Sequence, residues 1–321
     1  MALDTPVRDR LTLPVICSPM FLVSGPDLVR EACLNGVVGA LPRQNARTLE
    51  EFDSWLRSIR EAIDERLSED PTARVGPIAV NLAARMDDDE LATNLDVCQR
   101  HGVEIIISAI GNPARIAERV HDRGGVVYHD VTSFYYAEKA IKAGVDGLIA
   151  IGAGGGGHSG TLSHLVLIPR LRQIFDGTIV LAGAVGHGSA IRAAEILGAD
   201  LAYVGTRFIA AQESLAADRY KQLLISDSSS DLRYTNGISG VPANWMATSL
   251  IEAGLDPDAL PEPRGTLNSD HLPEGITPWR NIWSAGQSIE FIDGTPSTHD
   301  IVQQLRAEYA EACQRPQISQ K

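Results

Sequence analysis

The sequence predicts an α/β fold: a (β/α)8 TIM barrel carrying a C-terminal cap or insert segment. Three observations predict it. Short apolar runs alternate with amphipathic stretches from Leu13 to about Gln212, eight such runs can be counted, and the glycine-rich turns follow the sixth, seventh and eighth. A barrel of this kind takes about 250 residues, and the chain has 321. A doubly wound sheet is the alternative. It usually needs fewer strands, and its diagnostic GxGxxG is missing from the early part of this chain.

The predicted strands are Leu13–Ser18, Val37–Leu41, Gly76–Leu82, Glu104–Ser108, Val126–Asp130, Val145–Ile151, Thr178–Ala182 and Asp200–Val204. Uniformly apolar runs such as Val145–Ile151 mark parallel strands buried on both faces. Between them, Ser24-Gly25-Pro26-Asp27 opens a helix that stops at Asn35-Gly36. Thr48 and Glu51 stand at capping-box spacing for a helix reaching Leu67. Asp87–Arg100 is a third helix, stopped by His101-Gly102, and Pro113 occupies the first turn of a fourth.

Past Gln212 this rhythm stops, and the stretch to about Pro278 is rich in Pro, Gly and Asn. It and its flank hold Tyr234, Trp245, Met246, Trp279 and Trp283. Disordered segments are poor in aromatics, so the expectation is an ordered cover. His299–Cys313 reads as a closing amphipathic helix. Residues 10–212 with 296–315 are therefore expected to form the barrel, and 213–295 a cap over its mouth.

Composition narrows the class. A hydrophobic content of 44% supplies a large core, and a net charge of −13 argues against nucleic acid or an anionic membrane as partner. No apolar run approaches the roughly 20 residues of a membrane span, and no basic-then-apolar leader opens the chain. A cytoplasmic enzyme is the expectation. Cys17, Cys33, Cys98 and Cys313 are scattered, which suits reduced thiols, and no metal-ligand spacing is present.

In a barrel the carboxyl ends of all strands meet at one opening. Here they bring Pro19-Met20, Gln44, Asn81, Ser108, His129-Asp130, Gly152–His158, Gly183-Ala184 and Gly205-Thr206-Arg207 together. The turns after the seventh and eighth strands are where barrels frequently bind phosphate. Gly154–Gly157 adds backbone that a flat or charged ligand can approach closely. His158 ends that run, and an imidazole there would titrate near neutrality. His129 reads equally as a core histidine, Asn81 as a turn residue and His187 as a helix start.

Four segments carry a family resemblance: Leu13-Pro14-Val15-Ile16-Cys17-Ser18-Pro19-Met20, Gly157-His158-Ser159-Gly160, Gly198-Ala199-Asp200 with Gly205-Thr206-Arg207-Phe208, and Trp283-Ser284-Ala285-Gly286-Gln287. Together they resemble the nitronate monooxygenases, FMN-dependent TIM-barrel enzymes, over most of residues 10–310. The resemblance implies Pro19 and Met20 along the flavin edge, with Asn81 or Gln44 on the ring or ribityl chain. His129, Asp130, Gly155, Gly156 and Gly157 would line the cofactor, and Gly183, Ala184, Gly205 and Thr206 would hold its phosphate. His158 would be the catalytic group. One departure is that related reductases often carry a lysine after the strand-five histidine, where this chain has Asp130.

The implied activity is oxidation of alkyl nitronates, and of neutral nitroalkanes, by O₂ to a carbonyl compound and nitrite. The alternative is an NAD(P)H-dependent flavin reductase acting on quinones or enoyl thioesters. A third class is a flavin-binding protein without catalysis. The sequence leaves the oligomeric state open, a homodimer being one option.

Overall fold

The computed structural model describes residues 5–263, 265 and 267–315. Eight parallel strands close into a barrel in sequence order. They are β1 (Val15–Cys17), β2 (Val38–Pro42), β3 (Ile78–Ala83), β4 (Ile105–Ala109), β5 (Val126–Val131), β6 (Gly147–Ile151), β7 (Thr178–Ala182) and β8 (Leu201–Val204). Closure is direct: Cys17 pairs with Gly39 of β2 on one side and Val204 of β8 on the other. Every strand is buried against helices outside and side chains inside, so their sequences are nearly all apolar.

Strand side chains alternate between these two sides. Ile16, Val38, Ala79, Ile107, Tyr128, Ile149, Val180 and Leu201 fill the lumen, while Val15, Val80, Ile106, Val127 and Ile179 pack into the helical shell. The lower lumen is sealed by a helix the sequence reading did not anticipate, Thr5–Arg10. Its Val7, with Leu11 just beyond it, packs into the lumen cluster. The helix Leu49–Glu69 is capped by Thr48, whose side chain accepts from the Glu51 N–H.

After β8 comes only a short helix, Thr206–Ile209, and the shell position left open is filled from the C-terminus. The helix Thr298–Cys313 packs against Gly188–Leu197 and Pro26–Leu34. His187 caps Gly188–Leu197 through Nδ1, which accepts from the Ser189 N–H at 3.1 Å. His187 is thus a helix-start residue, as its place between Gly186 and Gly188 suggests.

The intervening segment contains an antiparallel hairpin, β9 (Leu232–Thr235) and β10 (Ala243–Met246), and the helices Asp218–Ser226 and Ala247–Glu252. It has two apolar clusters of its own. One joins Tyr220, Met246, Trp283 and Ile289 to Val23 and Met20 of the β1 turn. The other is centred on fully buried Trp245 with Ile238, Leu250 and Ile282. Among the described residues no helix is long and apolar enough to cross a membrane.

Candidate active site

The glycine loop after β6 is sewn to the cap. The Gly154 carbonyl accepts from the Gln287 N–H at 2.9 Å, and the Gly155 carbonyl accepts from Asn244 Nδ2 at 2.7 Å. The Ser159 N–H donates to Pro242 at 3.1 Å, and the Tyr234 hydroxyl donates to the Ser159 carbonyl at 2.7 Å. Four hydrogen bonds over six residues, three from backbone or amide N–H groups and one from a phenol, fix this loop. A Cβ on Gly156 would stand 2.7 Å from the Gly286 nitrogen, and one on Gly286 would stand 2.8 Å from the Gly154 oxygen. These glycines therefore let two protein segments touch, and only Gly157 of the run faces open space.

Beside this seam, the turns after β7 and β8 leave donors free. The backbone N–H groups of Gly155, Ala184 and Gly205 have no backbone acceptor among the described residues. Gly183 has φ +106° and Ala184 φ +57°. For alanine the left-handed region costs about 1–2 kcal/mol, and such strain persists where surrounding structure enforces it. Successive N–H groups turned to one side make a concavity suited to an anion. Thr206, 6% exposed, completes it, its Oγ1 accepting from the Gly286 N–H at 3.0 Å. That hydroxyl proton remains available to an acceptor.

His158 hangs at the end of the sewn loop, under the cap. Its Nε2 lies 3.1 Å from Ser239 Oγ, and Ser239 donates its own proton to the Val241 carbonyl. The imidazole must then be the donor to Ser239, which leaves the Nδ1 lone pair free. Trp279 meets the ring edge-on at 5.4 Å and rests on Trp245 at 4.9 Å. Burial pushes the His158 titration down to about 4, not the near-neutral value its sequence context suggests. The ring is uncharged across the physiological range because the cap excludes water from it.

On the opposite lip, Pro19 and Met20 are half-buried, and Met20 touches both the shell and the cap cluster. Asn45 organises this turn: Nδ2 donates to the Met20 and Ser24 carbonyls at 3.0 and 2.9 Å, and Oδ1 accepts from the Leu22 N–H. Gln44 is exposed, on a groove outside the lip that it shares with Arg47, Trp55 and Arg280. Asn81 lies on the lumen face of β3, its Nδ2 donating to the Ile107 carbonyl at 3.2 Å.

His129 and Asp130 part company. Alternation with Val127 and Val131 turns His129 into the helical shell, where Ser108 Oγ meets its Nδ1 at 2.8 Å and burial holds its titration near 4. The expectation that its side chain lines the cofactor is corrected: one residue of strand phase separates it from the lumen. Asp130 shares the face of Tyr128, and its Oδ1 is buried without a hydrogen-bond partner.

Several organising residues had no local sequence signal. Ser239, Asn244 and Asn45 act across long stretches of chain. His164 donates through Nε2 to the Ala182 carbonyl at 2.9 Å, bracing the end of β7. Arg207, in the motif beside Thr206, turns away from the anion cradle and binds the Phe291 carbonyl and Gln304 Oε1. Among the described residues no group of His, Cys, Asp and Glu is arranged to hold a metal ion. Cys17, at the end of β1, is buried, and burial pushes its thiol far up.

A sequence model of the family described as nitronate monooxygenase matches residues 9–308. A probable nitronate monooxygenase of Staphylococcus saprophyticus is 25% identical over 259 residues, 75% of this chain and 69% of that one. A (3aS,4S,5R,7aS)-5-hydroxy-7a-methyl-1-oxo-octahydro-1H-indene-4-carboxyl-CoA dehydrogenase of Mycobacterium tuberculosis is 26% identical over 257 residues, 78% of this chain and 68% of that one. Among solved structures, the nitroalkane oxidase of Streptomyces ansochromogenes superposes with TM-score 0.74 at 23% identity, covering 96% of this chain and 99% of that one. FabK of Thermotoga maritima superposes with TM-score 0.73 at 22% identity, covering 97% of each chain. At those identities the two structures speak for the fold.

Proposed function

The chain belongs to the nitronate monooxygenase family and is an enzyme of that type, and on this premise we propose that it oxidises alkyl nitronates with O₂ on bound FMN. The observation that carries the reading is His158: an uncharged imidazole fixed by Ser239 and Trp279 at the barrel mouth, its Nδ1 lone pair unengaged.

The residues present fit the cofactor. Free N–H groups of Ala184 and Gly205, with the Thr206 hydroxyl, suit a terminal phosphate. Met20, Asn81 and Asp130 stand where the ring would be met from the lip and the lumen. FMN, when bound, supplies the acceptance of electrons and their delivery to O₂.

The protein's own part follows from charge. A nitronate has already lost its α-proton, so it needs orientation and a dry apolar surround more than a base. Trp279, Trp245 and the cap provide that surround. A neutral nitroalkane must first give up the proton, and His158 Nδ1 is the acceptor placed for it. With a conjugate acid near pH 4 it is a weak base, so preformed nitronates should be the better substrates. Without an outside reductant, atoms and electrons balance when two nitronate anions and one O₂ give two carbonyl products and two nitrite ions.

A second reading, an NAD(P)H-dependent reductase of quinones or enoyl thioesters, has one specific support besides the dehydrogenase relative. A groove of about 420 Å³ outside the β1 lip carries Phe21, Gln44, Trp55, Arg47 and Arg280 together with Glu51, and among the described residues neither arginine is ion-paired. Two guanidinium groups beside aromatic surface, set against the single carboxylate of Glu51, suit a phosphate-bearing second substrate. Anaerobic rapid mixing with ethylnitronate and with NADH separates the two. Nitronate oxidation predicts flavin bleaching by ethylnitronate within the turnover time and little by NADH; the reverse pattern would establish the reductase instead.

A further inference from the structure

Asp130 lies near the carboxyl end of β5, on the face that Tyr128 turns into the lumen. Across the lumen is Tyr203 of β8, whose phenol burial and the Asp130 charge hold in its protonated form. No cation offsets the carboxyl group: burial alone governs its titration, pushing it up to about 7. Its Oδ1 is buried with no protein partner. A buried carboxylate left unpaired is expensive, whereas a protonated one needs only an acceptor for its O–H. No protein group among the described residues takes up that bond, and the opening above it is the region assigned to the flavin.

Resting on the flavoprotein reading above, we infer that Asp130 serves as a neutral carboxylic acid donating its O–H to an acceptor atom of the flavin ring. Oxidised flavin offers carbonyl oxygens and unprotonated ring nitrogens. An acid complements these atoms and a carboxylate repels them. The acid form therefore binds the cofactor better, and cofactor binding in turn favours the proton.

The sign of the pH dependence follows. Below the titration of Asp130 the donor is present and FMN affinity is highest. As pH rises through that titration the donor is replaced by a charge, and affinity falls. Neighbouring groups do not mimic this. Tyr203 stays protonated, while His129, turned to the shell, and His158, under the cap, titrate near 4. The phosphate of FMN titrates near pH 6, but equally for every variant.

The test is FMN titration of the apoprotein by flavin fluorescence, from about pH 6 to about pH 8.5, for wild type, Asp130→Asn and Asp130→Ala. The amide of asparagine keeps a donor and cannot ionise. Relative to Asp130→Asn, the wild-type Kd should rise with pH, approaching tenfold per unit once the carboxyl has ionised. Asp130→Ala should bind more weakly than wild type at pH 6, and its disadvantage should shrink or reverse at high pH. A wild-type to Asp130→Asn ratio that stays constant overturns the assignment while leaving the flavin reading intact. Failure of wild type to bind FMN at any pH overturns both.

Discussion

Around the barrel mouth, the turns after β6, β7 and β8 present backbone, whereas the ends of β3 and β5 and the imidazole under the cap present side chains. The first half is held by close contacts of main-chain atoms, Gly154 and Gly156 against Gly286, with one side chain, Thr206 Oγ1, accepting from the Gly286 N–H. The second half holds groups with unmet bonding capacity, Asp130 Oδ1 and His158 Nδ1. The difference teaches where each kind of function is lodged. Rigid backbone binds what every turnover reuses, and side chains meet what changes protonation.

That contrast can be broken at the cradle first. Thr206→Glu would set a carboxylate against the phosphate in a poorly solvated corner, where like charges cost several kcal/mol. FMN affinity should drop at least about 100-fold, seen as loss of flavin absorbance after desalting. Full retention would move the phosphate elsewhere.

A smaller effect sharpens the same point within one loop. Gly156→Ala forces a Cβ onto the Gly286 nitrogen at 2.7 Å and should destabilise the fold by about 1–3 kcal/mol. Gly157→Ala meets nothing within 4 Å and should stay within about 0.5 kcal/mol of wild type. Chemical denaturation of the two variants decides it, and equal losses would mean the seam with 284–287 is not tight.

The barrel was legible because strands buried on both faces are nearly pure apolar runs. Val145–Ile151 was read from such a run, and β6 occupies Gly147–Ile151. The same uniformity hid the strand phase. Nothing in Val126–Asp130 marks which side faces the lumen, so His129 and Asp130 were read together although the barrel separates them. The late glycines mark the turns after β6, β7 and β8, but not why each is glycine, since Gly156 yields to another segment of chain, at Ala285 and Gly286. Ser239 and Asn45 were illegible because each acts on a partner distant in sequence. The pKa of His158 was misjudged because the cap that dries it lies some eighty residues away in the chain.

The central claim, that His158 Nδ1 accepts the α-proton of a neutral nitroalkane, is tested most directly by steady-state kinetics of His158→Asn on nitroethane and on ethylnitronate. Loss of a general base typically removes about 10²–10⁴-fold. The account predicts that kcat/KM for nitroethane falls by about 10²-fold or more, while ethylnitronate loses less than about tenfold and FMN stays bound. Because burial sets the His158 titration near 4, the wild-type nitroethane profile should show no histidine inflection between about pH 5 and pH 8. Equal retention or equal loss on both substrates would contradict it, leaving His158 a structural residue of the cap seam.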